Sequence, residues 1–249
     1  MSQLPEIIRT IDRVSADVVA KAATFQAAIL SDVAGRRGTM HGRVAPVHQN
    51  MKVAGPAFTV EVRPGDNLMI HAAIALAQPG DVLVIDGKGD QTAALMGTLM
   101  LSACKKRGLA GVIVDAAIRD KLEILELDFP VFSAGFNPAG PTKFVPGRIN
   151  HPISAGGATV NPGDLVVRDA DGLSALRTDW EALERRAVHG GPFVRWRHVQ
   201  LAARHLLGAG DDVRIDPFGV GDPWRRYVAA AQSAQRRYAT IVAHVDAGP

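Results

Sequence analysis

The chain has 249 residues, 47% of them hydrophobic and 21% charged, with a formal net charge of +3. A core of that size needs no cross-links, and the single cysteine, Cys104, excludes an internal disulfide and fits a reducing cytoplasm. The opening MSQLPEIIRTIDRV lacks the apolar run of a secretory signal, and no stretch approaches the ~18 apolar residues that span a bilayer, so neither export nor a membrane partner is expected.

In chain order, Glu6 to Val33 has helical periodicity with Ala-rich turns. Ser15 and Thr24 are candidate N-caps, which predicts two short helices, with Gly35 and Gly38 ending the region. From Lys52, KVAGPAFTVEVRPGD alternates apolar and polar residues as a half-buried strand does, and stops at the turn Pro64-Gly65-Asp66. Asn67 to Ala77 reads as a helix and Pro79-Gly80-Asp81 as a turn. VLVID (Val82–Asp86) is a short apolar run suited to a strand buried on both faces. Gly87-Lys88-Gly89-Asp90 reads as a loop, Thr92 to Arg107 as a helix, and Gly111–Val114 as a second buried strand. Arg119 to Leu125 predicts a short helix and Val131-Phe132 a third strand.

After Pro138 short apolar runs alternate with Pro and Gly turns, which predicts several short strands. Helices are expected near 178–188, 199–207 and 224–245. The order of elements points to an α/β layered domain with a mixed sheet. The charge divides unevenly: from Arg185 onward ten arginines stand against five aspartates, a balance of +5, which leaves −2 on residues 1–184. This basic tail lacks the Gly- and Lys-rich character of a nucleic-acid arm. It reads as a solvated or subunit-facing helical surface, and nucleic acid is not an expected partner.

Chemistry is concentrated in GVIVDAAIRD, where a buried strand delivers Asp115, Arg119 and Asp120 to its carboxyl edge, the edge at which α/β folds bind ligands. The guanidinium of Arg119 matches a carboxylate, and Asp120 is a hard oxygen ligand suited to Mg2+ or Mn2+. The same residues fit a structural reading equally: Asp120 with Glu123 three positions on makes a capping box, and Arg119 would pair with a neighbouring acid. Gly97-Thr98-Leu99-Met100 is either an anion-binding helix start or part of one continuous helix. Gly87-Lys88-Gly89-Asp90 is neither a phosphate loop nor a dinucleotide fingerprint. Lys88 and Lys121 carry no mark of a Schiff-base lysine, and Cys104 reads as packing. The spacing of His198 and His205 does not make a zinc site.

Five stretches together resemble the RraA-like proteins, a family that includes 4-hydroxy-4-methyl-2-oxoglutarate aldolases and the regulator of ribonuclease E activity A. They are FQAAILSDVAG (25–35), VAGPAFTVEVRPGDN (53–67), QPGDVLVIDGKGD (78–90), GTLMLSACKKRGLAGVIVDAAIRD (97–120) and GGATVNPGDLVVRDADG (156–172). The resemblance covers about residues 20–180 and implies an RraA-like domain over 1–188, followed by a divergent basic extension over 189–249. It implies an αββα layered sandwich that assembles as a homotrimer or hexamer, and a class II pyruvate aldolase dependent on a divalent cation. Asp120 would be the metal ligand and Arg119 the group on the oxo-acid carboxylate or enolate. Gly97, Thr98, Leu99 and Met100 would bind substrate through backbone amides. The family pattern R-D-x-x-[E/D] is met by Arg119, Asp120 and Glu123. Thr98 departs from it: the aldolases usually carry an acid twenty-one residues before the arginine, so weaker metal binding or a different substrate is implied. The family also implies a rival role, a non-catalytic regulator that binds a ribonuclease. A methyltransferase role finds no glycine-rich cofactor loop.

Overall fold

The structure is a computed structural model that describes residues 7–34, 37–169 and 172–176, all within the compact unit Met1–Leu183. The helices expected near 178–188, 199–207 and 224–245 lie outside the described residues, as do Gly35 and the first six residues.

Residues 7–14 are not helical. They form an extended strap: Ile8 N–H donates to Ile149 O (3.1 Å), Asn150 Nδ2 donates to Ile8 O (2.7 Å), and Arg13 makes a bidentate pair with the buried Asp81 (2.7 and 2.9 Å). Apolar residues every three or four positions suit a helix face or a strap with intermittent contacts, and here the tertiary partners decide. The predicted helix pair begins after it, as α1 (Ala16–Ala22) and α2 (Ala27–Val33). Ser15 caps α1 as expected, accepting from Val18 N–H. Thr24 does not cap α2; its hydroxyl donates back to Lys21 O, and the Ala27 amide is met by Asp169 Oδ2 from far along the chain.

The main sheet contains β1 (Ala45–Pro46), β2 (Val53–Glu61), β3 (Val82–Met96), β4 (Gly111–Ile118), β5 (Val131–Phe136), β6 (Arg148–Ile149), β9 (Leu165–Arg168) and β10 (Leu173–Leu176). Its order is β1-β5-β4-β3-β2-β9-β10, with β6 also on β2. Strands β2 to β5 run parallel and the flanking ones antiparallel, so the sheet is mixed as expected. Helices α3 (Leu68–Leu76), α4 (Thr98–Lys106) and α5 (Lys121–Glu126) are the crossovers between the parallel strands. A separate hairpin joins β7 (Ile153–Ala155) to β8 (Ala158–Val160).

Side-chain parity divides the interior into two cores. Phe58, Val60, Leu83, Ile85, Val112 and Val114 meet α3, α4 and α5 on one face. Val53, Ala57, Val82, Val84, Ile113 and Phe132 meet the β7–β8 hairpin, Met40 and Val44 on the other. Burial on both faces explains the continuous apolar runs of β3 and β4. It also corrects the half-buried reading of β2, whose Thr59 is as fully buried as its apolar neighbours.

The second correction is β3. Its pairing with β4 breaks register after Ile85 and resumes through Asp90, Ala94 and Met96, so the strand continues to Met96. The stretch expected as a helix from Thr92 to Arg107 is therefore helical only over Thr98–Lys106. Alanine, leucine and methionine favour helices, but edge pairing against Ala116–Ile118 overrides that preference.

Candidate functional site

Three parallel strands end side by side and feed α3, α4 and α5, so the segments after Glu61, Met96 and Ile118 share one edge of the sheet. Arg119 follows β4, and its N–H donates to Met96 O (3.0 Å), which ties the last residue of β3 to the first beyond β4. Asp120 stands at the N-cap of α5 in the left-handed region (φ 65°, ψ 47°). That backbone turns its carboxylate away from its own helix, and no side-chain capping bond forms. The capping-box alternative is thereby removed. Oδ2 of Asp120 instead accepts from Thr98 N–H at 3.0 Å, across 22 residues of sequence.

Gly97 is the point of closest approach. A Cβ on it would lie 2.4 Å from Asp120 Oδ2 and 3.1 Å from Arg119 Cγ, so any side chain here would push the Asp120 carboxylate out of its place. Its φ of −147° is ordinary extended backbone, so the glycine is required by contact and not by conformation. The sequence expected Gly97, Thr98, Leu99, Met100, Arg119 and Asp120 to converge, and the structure brings them together as the cap and first turn of α4 packed on the Arg119–Asp120 step.

The pair itself is loose. Arg119 Nε lies 3.8 Å from Asp120 Oδ1, with the side chains 45% and 37% exposed. The Arg119 head also borders Gly140, where a Cβ would sit 3.5 Å from Nη1. Of the α4 amides, Thr98 N–H is spent on Asp120 and Met100 N–H on Gly97 O (3.1 Å). The expected use of Gly97 to Met100 as amide donors is therefore narrowed, because two of the four are already engaged. Leu99 points to solvent at 87% exposure, and the buried hydroxyl oxygen of Thr98 has no hydrogen-bond partner.

The other candidates resolve into structural roles. Asp115 does not join the site: parity places it on the hairpin face with Ile113, where Arg43 grips it at 2.9 Å through both Nε and Nη2 and Gly156 N–H donates at 2.7 Å. Lys88 bridges Asp86 (2.7 Å) and Glu61 (2.8 Å). Burial alone would lower its pKa, but those two carboxylates outweigh burial and raise it, the reverse of what a Schiff-base lysine needs. Lys121 lies 5.0 Å from the ring centre of Phe136. Burial pushes the Cys104 thiol up to about 12, so it is packing.

Sequence reasoning passed over Asp66 and Asn67, which it read only as a turn and a helix start. Both are almost fully buried at this edge. Asp66 Oδ2 accepts from Thr142 Oγ1 (2.7 Å), Phe144 N–H (2.8 Å) and Val145 N–H (3.2 Å), and fastens that segment beside the site.

Among the described residues no three His, Cys, Asp or Glu side chains gather in a metal-binding group. The donor chemistry fits a hard cation held by one carboxylate, since Mg2+ keeps several waters and takes few protein ligands. Asp120 supplies that carboxylate: Oδ2 is fixed by Thr98 and Oδ1 has no close partner.

The RraA-like (Aldolase/RraA) family model matches residues 15–174. A Halalkalibacterium halodurans protein named "Putative 4-hydroxy-4-methyl-2-oxoglutarate aldolase" is 42% identical over 160 residues, 64% of this chain and 76% of the relative. A Streptomyces coelicolor member of the RNase ES inhibitor RraA family has the same fold, with a TM-score of 0.68, 24% identity, and coverage of 81% of this chain and 100% of that one. The RNA-processing inhibitor RraA of Thermus thermophilus superposes with a TM-score of 0.57 at 26% identity, over 61% of this chain and 93% of its own. The parallel strands β2 to β5, the packed glycine before α4 and the Arg119–Asp120 step all lie inside the matched segment, and the chain belongs to the RraA-like family.

Proposed function

We propose that the chain is a class II pyruvate aldolase that cleaves a 4-hydroxy-2-oxo acid, such as 4-hydroxy-4-methyl-2-oxoglutarate, to pyruvate. Oxaloacetate decarboxylation is proposed as a companion activity, since both reactions pass through an enolate. The observation that carries this reading is the uncommitted Arg119–Asp120 pair at the sheet edge, accessible to solvent and backed by Gly97 and the Thr98 amide. Asp120 would hold the divalent cation, Mg2+ or Mn2+, through the oxygen not engaged by Thr98. A bound cation supplies Lewis-acid polarisation of the substrate carbonyl. Arg119 orients the oxo-acid carboxylate with its fork of donors and stabilises negative charge where the enolate develops. Gly97 lets the Asp120 carboxylate and the Arg119 side chain close on the backbone, which holds the two functional groups side by side.

The catalytic domain is assigned to residues 1–188 and the basic segment 189–249 is treated as an extension. No helix among the described residues is long and apolar enough to cross a membrane. The single cysteine supports a cytoplasmic setting. The exposed Leu99 (87%) and Leu122 (73%) beside the site support burial against further copies, as a homotrimer or hexamer.

The test is pyruvate release with Mg2+ by the wild type, Arg119→Ala and Asp120→Asn. Full metal-dependent turnover in either variant would sink the assignment. A second reading, a regulator that binds a ribonuclease without catalysis, draws support from the description of the Thermus thermophilus relative as an RNA-processing inhibitor. Capture of a ribonuclease by a chain that releases no pyruvate would select it.

A further inference from the structure

Asparagine at a helix N-cap ordinarily spends its side-chain oxygen on its own first turn. Asn67 stands at the N-cap of α3 and makes no such bond. Its neighbour takes over that work, with Asp66 Oδ1 accepting from Leu68 N–H at 3.0 Å. The Asn67 carboxamide reaches out of its helix instead. Nδ2 donates to Leu95 O (2.9 Å) and lies 3.4 Å from Met100 Sδ. Leu95 is the penultimate residue of β3 and Met100 lies in the first turn of α4, so one side chain straddles the corner formed by Gly97, Thr98 and Leu99. That corner carries the Thr98 N–H that fixes Asp120 and the glycine against which Arg119 packs.

The adjacent carboxylate grips the opposite wall. Asp66 holds Thr142, Phe144 and Val145, and Asn67 N–H donates to Thr142 O at 3.0 Å. The residues just before that segment include Gly140, beside the Arg119 head. Two consecutive buried residues, 1% and 3% exposed, thus tie the amide that holds Asp120 to the wall that borders Arg119.

We propose that Asn67 is the positioning residue of this site: its carboxamide sets the β3–α4 corner, and through Thr98 N–H sets where the Asp120 carboxylate stands. Its donor is spent inside the protein, on Leu95 O, so it acts through the corner it holds. The donor half of the amide is what matters, because an oxygen in its place would face Leu95 O. The inference rests on the aldolase reading only for its kinetic readout, since the geometric part is independent of any activity.

The experiment uses the full chain with Asn67→Ala, the near-isosteric Asn67→Leu, and Ile70→Val as a control for lost core packing on the same helix. Asn67→Leu keeps the volume of the buried side chain and removes the donor without burying a charge, so it remains informative if Asn67→Ala folds poorly. Two quantities are read: steady-state pyruvate release with Mg2+, normalised to folded protein, and hydrogen exchange of the Thr98 amide. A displacement of about 1 Å in a reacting group costs on the order of 10²-fold in rate. Both Asn67 variants are therefore expected to lose kcat on that scale with KM changed far less, and to exchange the Thr98 amide faster. Ile70→Val is expected to do neither. Thr98 exchange in the Asn67 variants no faster than in Ile70→Val overturns the proposal, as does wild-type kcat per folded molecule. If the wild type releases no pyruvate but the Asn67 variants alone loosen the Thr98 amide, the positioning role stands and the aldolase reading falls.

Discussion

Two aspartates five positions apart, Asp115 within β4 and Asp120 just beyond it, each stand beside an arginine, and the two pairs differ in burial and in how far they are satisfied. Asp115 faces the hairpin, 2% exposed, with both oxygens gripped by Arg43 at 2.9 Å and a third donor from Gly156. Asp120 faces the open edge, 37% exposed, with its arginine neighbour 3.8 Å away and one oxygen uncommitted. The first pair is spent largely on itself and on Gly156, whereas the second has little else to do. A saturated pair contributes to folding and an unsaturated one to chemistry, so the same two residue types should separate cleanly when each is broken.

The largest effect is expected at the open pair. Arg119→Ala should lower turnover by 10²–10³-fold, about 2.7–4 kcal/mol of transition-state stabilisation, the scale of one lost oxyanion donor. Its unfolding midpoint should stay within about 0.5 kcal/mol of wild type, as for other exposed positions. Arg43→Ala should invert that result. It strands a buried carboxylate, and should cost about 3 kcal/mol of stability in urea unfolding, the lower end of the range because Arg43 is partly exposed and Gly156 stays. Turnover per folded molecule should be retained. Gly97→Ala comes next: the added methyl must displace the Asp120 carboxylate, with a loss of about 10²-fold in turnover. Stability should change little by comparison.

A smaller effect is expected from acid. Burial would raise the Asp66 carboxyl, but its four hydrogen-bond donors more than offset this and hold it below its ordinary value of 3.8. Glu61 is likewise lowered from 4.5, where burial is outweighed by Lys88 and Arg148. A carboxylate with a depressed folded-state pKa contributes stability that is complete above the unfolded value and lost as pH falls through the folded one. Urea midpoints should therefore be flat above about pH 5.5, a unit over the ordinary Glu61 value of 4.5, and fall below it from these two groups. Asp66→Asn should flatten part of that decline. The smallest effect concerns Cys104: with its thiol pushed up to about 12 and buried, it should resist alkylation at neutral pH until the chain unfolds.

The saturated and open pairs were not separable in sequence. GVIVDAAIRD shows three charged residues past an apolar run, and only strand parity, fixed by Ile113 in the hairpin-side core, sends Asp115 away from the edge. The central strands β3 and β4 were legible because burial on both faces leaves uninterrupted Val, Leu and Ile in Val82–Ile85 and Val112–Val114. What the pattern missed was long-range: the Thr98–Asp120 bond spans 22 residues and the Asn67–Leu95 bond 28. The stretch TAALM was misread for a related reason, since helix-forming side chains were drawn into pairing with Ala117 and Ile118. Propensity describes a residue alone, whereas these positions are decided by a partner on another strand.

The left-handed backbone at Asp120 has an evolutionary consequence. Few side chains accept φ near 65° without strain, chiefly glycine, asparagine and aspartate, and of these three only aspartate is anionic. Conformation therefore admits a short list at this position and charge selects one member of it. On the aldolase reading proposed above, a descendant that gave up the activity should drift here toward asparagine or glycine, with its sheet intact.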